Sequence, residues 1–201
     1  MKRLQRVIRI TAVLAFLPVL MSCAGSLKPD IITRDEWGSQ PVIPDSTEQT
    51  IRYITIHHSG VYVSPDEDPR QYLRNLQEWS RKEKHWIDIP YHYLIDLDGR
   101  VYEGRPVRYA GDTNTDYDPR GHLLISVIGN YEVQPFTEKQ YHSLVRLLAY
   151  CCEKYKVDPS MIKGHRDYTE TACPGKNIYK YIKDGSLISD VRALLQKAKK
   201  K

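Results

Sequence analysis

The sequence predicts an α/β fold: a single domain with a central mixed β-sheet and helices packed on its faces. Three observations predict it. Ile51-Arg52-Tyr53-Ile54-Thr55-Ile56-His57 is β-branched and aromatic, as a strand is. Leu123 to Ile128 is a short, nearly all-apolar run ended by Gly129, which suits a central strand covered on both faces. These runs alternate with stretches in which apolar residues recur at helical spacing, so sheet and helices share one core.

Taken from the N-terminus, residues 1–22 read as an export signal of lipoprotein type. Lys2, Arg3, Arg6 and Arg9 form a basic segment, followed by the apolar stretch from Ile10 to Met21. That stretch is 12 residues long and contains Pro18, whereas a membrane-spanning helix needs about 20 residues. A permanent transmembrane anchor is therefore the weaker reading. Leu20-Met21-Ser22-Cys23 resembles a bacterial lipobox, in which Cys23 is lipidated and becomes the mature N-terminus; the alternative is an ordinary secretory signal cut near Ala24. The expected location is the cell envelope of a bacterium, on a membrane anchor through Cys23, with residues 23–30 as a short tether.

Residues 31–188 contain no internal repeat and no long Gly/Ser linker, and are expected to form one unit. After the first strand, Asp68 can cap a helix with Pro69 at its first position, and Tyr72, Leu73, Leu76 and Trp79 recur at helical spacing. Tyr91 to Asp96, Asp98-Gly99 and Val101 to Glu103 read as a hairpin. Thr137-Glu138-Lys139-Gln140 is a capping box, with Phe136 and Tyr141 placed as a hydrophobic staple and a stripe running through Leu144, Leu147, Leu148, Cys151 and Tyr155. Residues 189–201 are a C-terminal helix, from about Asp190 to Lys199, and a basic tail; Val191, Leu194, Leu195 and Ala198 share one face.

Charge narrows the class of partner. The chain carries 30 basic and 25 acidic residues, a net charge of +5. Four of the basic residues fall in the first 22 and another four are the terminal Lys197, Lys199, Lys200 and Lys201. Without these the body is slightly acidic, so no nucleic-acid partner is expected.

Cysteine and histidine carry the chemistry. Cys151 and Cys152 are neighbours inside a helix, where pairing is strained, so both are read as small core residues. Cys173 lies in GHRDYTETACPG (Gly164 to Gly175), eight residues after His165, in a stretch that Pro and Gly mark as loop. His57-His58 ends an apolar strand just before Ser59-Gly60, and strand ends are where α/β sheets place catalytic groups. Side chains alternate along a strand, so one histidine faces a given cleft; the bland reading is one hydrogen-bonded and one solvated imidazole. His85, His92, His122 and His142 are read as surface or structural. Trp37 and Trp86 either line a groove or pack. Glu103 is either a catalytic carboxylate or a structural acceptor for the loop that follows it.

ITRDEWGS (Ile32 to Ser39), ITIHHSG (Ile54 to Gly60), DIPYHYLIDLDGRVYEGR (Asp88 to Arg105), SVIGNY (Ser126 to Tyr131) and GHRDYTETACPG together resemble the zinc-dependent N-acetylmuramoyl-L-alanine amidases of the peptidoglycan recognition protein type. The likeness runs from about Ile32 to Tyr181. It implies a Zn2+ cofactor held by His57, His165 and Cys173, with a fourth position left open as in catalytic zinc sites. It also implies Tyr91 as catalytic tyrosine. Thr171 falls where some relatives have Lys and others Thr, and would offer a neutral hydrogen bond. Many relatives have Gly-Trp where this chain has Pro106-Val107, so no stem-peptide preference is carried over.

The activity implied is hydrolysis of the amide between N-acetylmuramic acid and L-alanine by a zinc-activated water, with peptidoglycan or muropeptides as partner and a monomer as the working unit. Two alternatives stand beside it. One is a peptidoglycan-binding module without turnover, since some relatives only recognise the wall. The other is a cell-wall cysteine peptidase with Cys173 as nucleophile.

Overall fold

The computed structural model describes residues 27–44 and 48–200. The export signal (1–22) and Cys23 lie outside the described residues, as do positions 24–26 of the expected tether.

The chain begins its sheet with Ile31–Ile32 (β1) and then makes the short helix Arg34–Trp37 (α1), a turn the sequence reading did not anticipate. Thr33 and Glu36 cap it reciprocally, and Gly38 closes it at φ 79°, a left-handed conformation that glycine adopts without strain. Tyr53–His58 (β2) and Pro69–Lys82 (α2) follow. Asp68 Oδ1 accepts the Arg70 N–H at 3.0 Å and Pro69 opens the helix, as expected. Tyr93–Ile95 (β3) and Val101–Glu103 (β4) form the antiparallel hairpin, leaving Tyr91 and His92 just ahead of it.

His122–Val127 (β5) is buried along its whole length. Glu138–Tyr155 (α3) starts at the expected capping box, and the Phe136 and Tyr141 rings meet edge to face at 6.3 Å as the staple. Ile162–Gly164 (β6), Lys176–Lys183 (α4) and Ser186–Lys199 (α5) complete the chain. The last helix begins four residues earlier than the apolar stripe suggests, so position 188/189 falls within it. Its N-cap, Gly185, has no capping side chain, which removes the usual start signal.

Among the described residues six strands run in the order β1-β4-β3-β5-β2-β6. Only β3 and β4 are antiparallel; every other neighbouring pair is parallel, so the sheet is mixed. Alternation gives it two different faces. On one, Ile54, Ile56, Leu123, Ile125 and Val127 pack with Leu144, Leu147, Leu148 and Cys151 of α3 and with Leu187 and Val191 of α5. On the other, Leu94, Tyr102 and Ile128 pack with Trp37, Leu73 and Ile89. Cys151 and Cys152 are buried thiols in the first cluster, as their reading requires.

Leu27 also belongs to that first cluster, and Arg146 of α3 donates to the Leu27 and Lys28 carbonyls at 3.4 and 3.1 Å. The described end of the expected tether is thus docked on α3. Among the described residues, no helix is long and apolar enough to cross a membrane.

Candidate metal centre and cleft

Along β2, Ile54 and Ile56 face the α3 core, so Thr55 and His57 face the opposite side of the sheet. There a cleft of about 360 Å³ opens between β2, α2 and three loops. Tyr72, Leu76 and Trp79 of α2 form one wall; residues 57–61, Trp86, Pro90 and Tyr91, residues 112–115, and His165, Thr171 and Cys173 form the rest.

His57, His165 and Cys173 meet in this cleft, all buried, with ligand atoms within 4.8 Å of one another. Cys173 Sγ lies 3.6 Å from His57 Nδ1. A tetrahedral zinc with the usual Zn–N and Zn–S bonds spaces its donors about 3.5 Å apart, which the Cys173–His57 pair already matches. Among the described residues His165 Nδ1 is buried with no hydrogen-bond partner, while its Nε2 lies 2.8 Å from Thr115 Oγ1. A buried lone pair without a partner is costly, and a cation among these donors removes the cost.

The two imidazoles agree with that fit, whereas the thiol needs the cation itself to give up its proton. Burial pushes the His165 imidazole down to about 4 and His57 well below its ordinary value, with the neighbouring imidazoles adding to it, so both rings are neutral at pH 7 as metal ligands must be. Burial pushes the Cys173 thiol up to about 12; the His58 N–H, 3.3 Å from Sγ, works in the opposite direction. A cysteine nucleophile needs a thiolate favoured by a nearby cation or imidazolium. Two neutral histidines do not provide one, and the Arg166 charge, which lowers the thiol, is outweighed by burial.

Tyr91 is half-buried with its ring centroid 5.3 Å from that of His57. Burial drives its phenol well above the ordinary value, so at neutral pH it is an O–H donor. Its position is set by backbone: the Arg105 N–H donates to Tyr91 O, and the Gly104 N–H to His92 O, each at 2.8 Å. The buried Arg105 side chain donates to the Asp88 and Ile89 carbonyls at 2.9 Å and pairs with Asp112, tying two of the cleft loops together. Thr171 accepts the Cys173 N–H at 3.2 Å and lines the cleft.

Apart from Trp86, the candidates that follow fall on the structural side. His58 Nδ1 accepts the Tyr131 N–H at 3.1 Å. His92 accepts from Leu124 N–H and faces the Tyr109 carbonyl, and His122 meets Thr55. Trp37 is buried, donating to the Glu103 carbonyl, whereas Trp86 lines the cleft. The Glu103 carboxylate points away from the cleft and accepts the Arg34 N–H, so its partner precedes it in the chain by 69 residues. Sequence reasoning passed over Thr113, Thr115 and Tyr117; polar loop residues in TNTDY carry no periodicity or spacing that marks them.

A mixed sheet with this cleft on the face opposite α3 defines a domain of the peptidoglycan recognition and amidase type. The family model for N-acetylmuramoyl-L-alanine amidase matches residues 47–176. Peptidoglycan-recognition protein SC2 of Drosophila melanogaster is 32% identical over 176 residues, covering 86% of this chain and 95% of that protein. The structure of peptidoglycan recognition protein-LE in complex with tracheal cytotoxin, a monomeric diaminopimelic acid-type peptidoglycan, is similar at TM-score 0.69 and 26% identity, over 77% of this chain and 92% of that one. N-acetylmuramoyl-L-alanine amidase LysC from Clostridium intestinale is similar at TM-score 0.63 and 28% identity, over 79% and 97%. The chain belongs to the N-acetylmuramoyl-L-alanine amidase family.

Proposed function

We propose that the protein hydrolyses the amide between N-acetylmuramic acid and L-alanine in peptidoglycan or muropeptides, with a zinc ion held by His57, His165 and Cys173. The observation that carries this reading is the convergence of three buried donors, one of them the unpartnered His165 Nδ1, beside Tyr91 in a single cleft. A zinc ion held there would lower the pKa of water to about 7 and polarise the scissile carbonyl. Tyr91, a neutral phenol, donates a hydrogen bond to the oxygen on which negative charge develops. Thr171 offers a second, uncharged hydroxyl at the cleft wall. The His58 N–H holds Cys173 Sγ in place from outside the cluster.

Binding without turnover is the second reading, and membership of a family that includes recognition proteins favours it. The complete donor set together with Tyr91 supports turnover. Purified peptidoglycan should be digested with the protein and the products read by mass spectrometry, with parallel arms containing a chelator, chelator followed by zinc, and a thiol alkylator under saturating zinc. Release of peptides with a free L-alanine amine, lost to the chelator and restored by zinc, is expected. Sedimentation with peptidoglycan but no cleavage would leave the binding reading; loss to the alkylator alone would leave the peptidase.

The lipobox at Leu20 to Cys23 supports a second proposal: export and anchoring through a lipid on Cys23, placing the protein in the cell envelope.

A further inference from the structure

We infer that the loop segment 113–117 is a positioning device for the two histidines, setting the ring nitrogen that each presents to the metal; Thr115 is its principal residue. This inference rests on the zinc reading above. His165 has one ring nitrogen buried without a partner and the other 2.8 Å from Thr115 Oγ1. If Nε2 carries the proton and donates to that hydroxyl, Nδ1 keeps its lone pair for the cluster. The opposite tautomer would bury an unsatisfied N–H among the donors.

Thr115 is itself held. Its hydroxyl lies 2.9 Å from Thr113 Oγ1, and its N–H donates to the same atom at 3.3 Å. The hydroxyls thus form a short chain in which Thr115 accepts from His165 and donates to Thr113. Two residues on, the Tyr117 hydroxyl lies 3.4 Å from His57 Nε2, the nitrogen of that ring turned away from Cys173. The Tyr117 ring stacks on Tyr168 at 5.5 Å and 16°, which fixes its direction. One loop therefore braces both imidazoles on their outer nitrogens and leaves both Nδ1 atoms for the ion. Fifty residues separate Thr115 from His165 in the chain, so only the fold creates the pair.

The test compares Thr115→Val, which keeps shape and removes the hydroxyl, with Thr115→Ser and His165→Ala in the full-length protein. Zinc affinity is read by competition with a chromophoric chelator, and the His165 tautomer in the zinc-free protein from imidazole nitrogen chemical shifts. Outer partners of metal-bound histidines are worth roughly 10- to 100-fold in affinity. Thr115→Val should weaken zinc binding within that range and lose the Nε2-protonated signature, and Thr115→Ser should restore both. Chemical shifts elsewhere in the chain that match wild type show that the valine variant is folded. Wild-type affinity in Thr115→Val, with zinc lost in His165→Ala, would overturn the inference and leave the zinc reading standing. Zinc uptake unchanged by His165→Ala, or none by the wild type, would overturn both.

Discussion

Replacing Gly104 with alanine tests how firmly the backbone fixes Tyr91. A Cβ at position 104 would sit 2.2 Å from the Tyr91 carbonyl oxygen and 3.0 Å from a Leu94 methyl. Carbon and oxygen approach to about 3.3 Å even in weak hydrogen bonds, so the two backbones must part by about 1 Å. Hydrogen bonds from Gly104 N–H to His92 O and from Arg105 N–H to Tyr91 O, both 2.8 Å, resist that parting. Overpacking of this size costs about 1–3 kcal/mol, and in a domain of this length each kcal/mol lowers Tm by about 2–4 °C. A Tm lower by roughly 2–12 °C is expected. A displacement of about 1 Å in a positioning group can cost about 100-fold in rate. His57, His165 and Cys173 lie on other segments, so zinc content should stay at the wild-type level while muropeptide turnover falls. Calorimetry, metal analysis and single-substrate kinetics below the lowered Tm read the three quantities. An unchanged Tm with unchanged kcat would show that the close approach does not hold Tyr91; loss of zinc would show that the disturbance spreads past it.

Four further outcomes are expected. Tyr91→Phe keeps zinc and fold but lowers kcat and kcat/KM together by about 100-fold, the loss for one oxyanion donor worth about 3 kcal/mol; a rise in KM alone would make the phenol a substrate-positioning group. Metal analysis should find zinc lost from Cys173→Ser and His57→Ala and retained in His58→Ala, and the reverse pattern for the two histidines would mean that the wrong one has been assigned to the cleft. Cys23→Ala should move an active domain from the membrane fraction to the soluble one; a wild-type protein wholly soluble after export would remove the lipid anchor. Burial lowers His92 to about 4 from an ordinary 6.5, so the unfolded chain binds the extra proton between those values. Its contribution to stability is complete above the upper value and is lost as pH falls toward the lower, and a Tm that stays level across that window would contradict its being buried neutral.

Elements whose signals are local were legible in the sequence. Asp68-Pro69 and the Thr137 capping box mark the starts of α2 and α3, and the all-apolar run of β5 announces a strand buried on both faces. What escaped depends on partners distant in the chain. β1 and β6 are two and three residues long and exist only through pairing with β4 and β2, and α5 starts at a glycine that gives no cap. The site divides in the same way. His57, His165, Cys173 and Tyr91 sit in blocks with recognisable residues, whereas Thr115 acquires its place at His165 only when residues 112–115 fold into the lining of the cleft. Glu103 shows the converse: a carboxylate beside a hairpin invites a catalytic role, yet the fold turns it toward the first turn of α1.

The docking of Leu27 and Lys28 on α3 gives the molecule a heading. With a lipid on Cys23, as proposed, four residue steps separate the anchor from Leu27, a leash of at most about 14 Å. Arg146 fastens the near end of that leash on the α3 side of the sheet, and the cleft opens on the other. The bilayer would then lie behind the domain and the reactive groups would look outward, toward cross-linked wall rather than toward lipid headgroups. If both proposals hold, so short a tether would also confine the working zone to a layer about one domain diameter above the membrane, and cutting would track the membrane surface instead of ranging through the whole thickness of the wall.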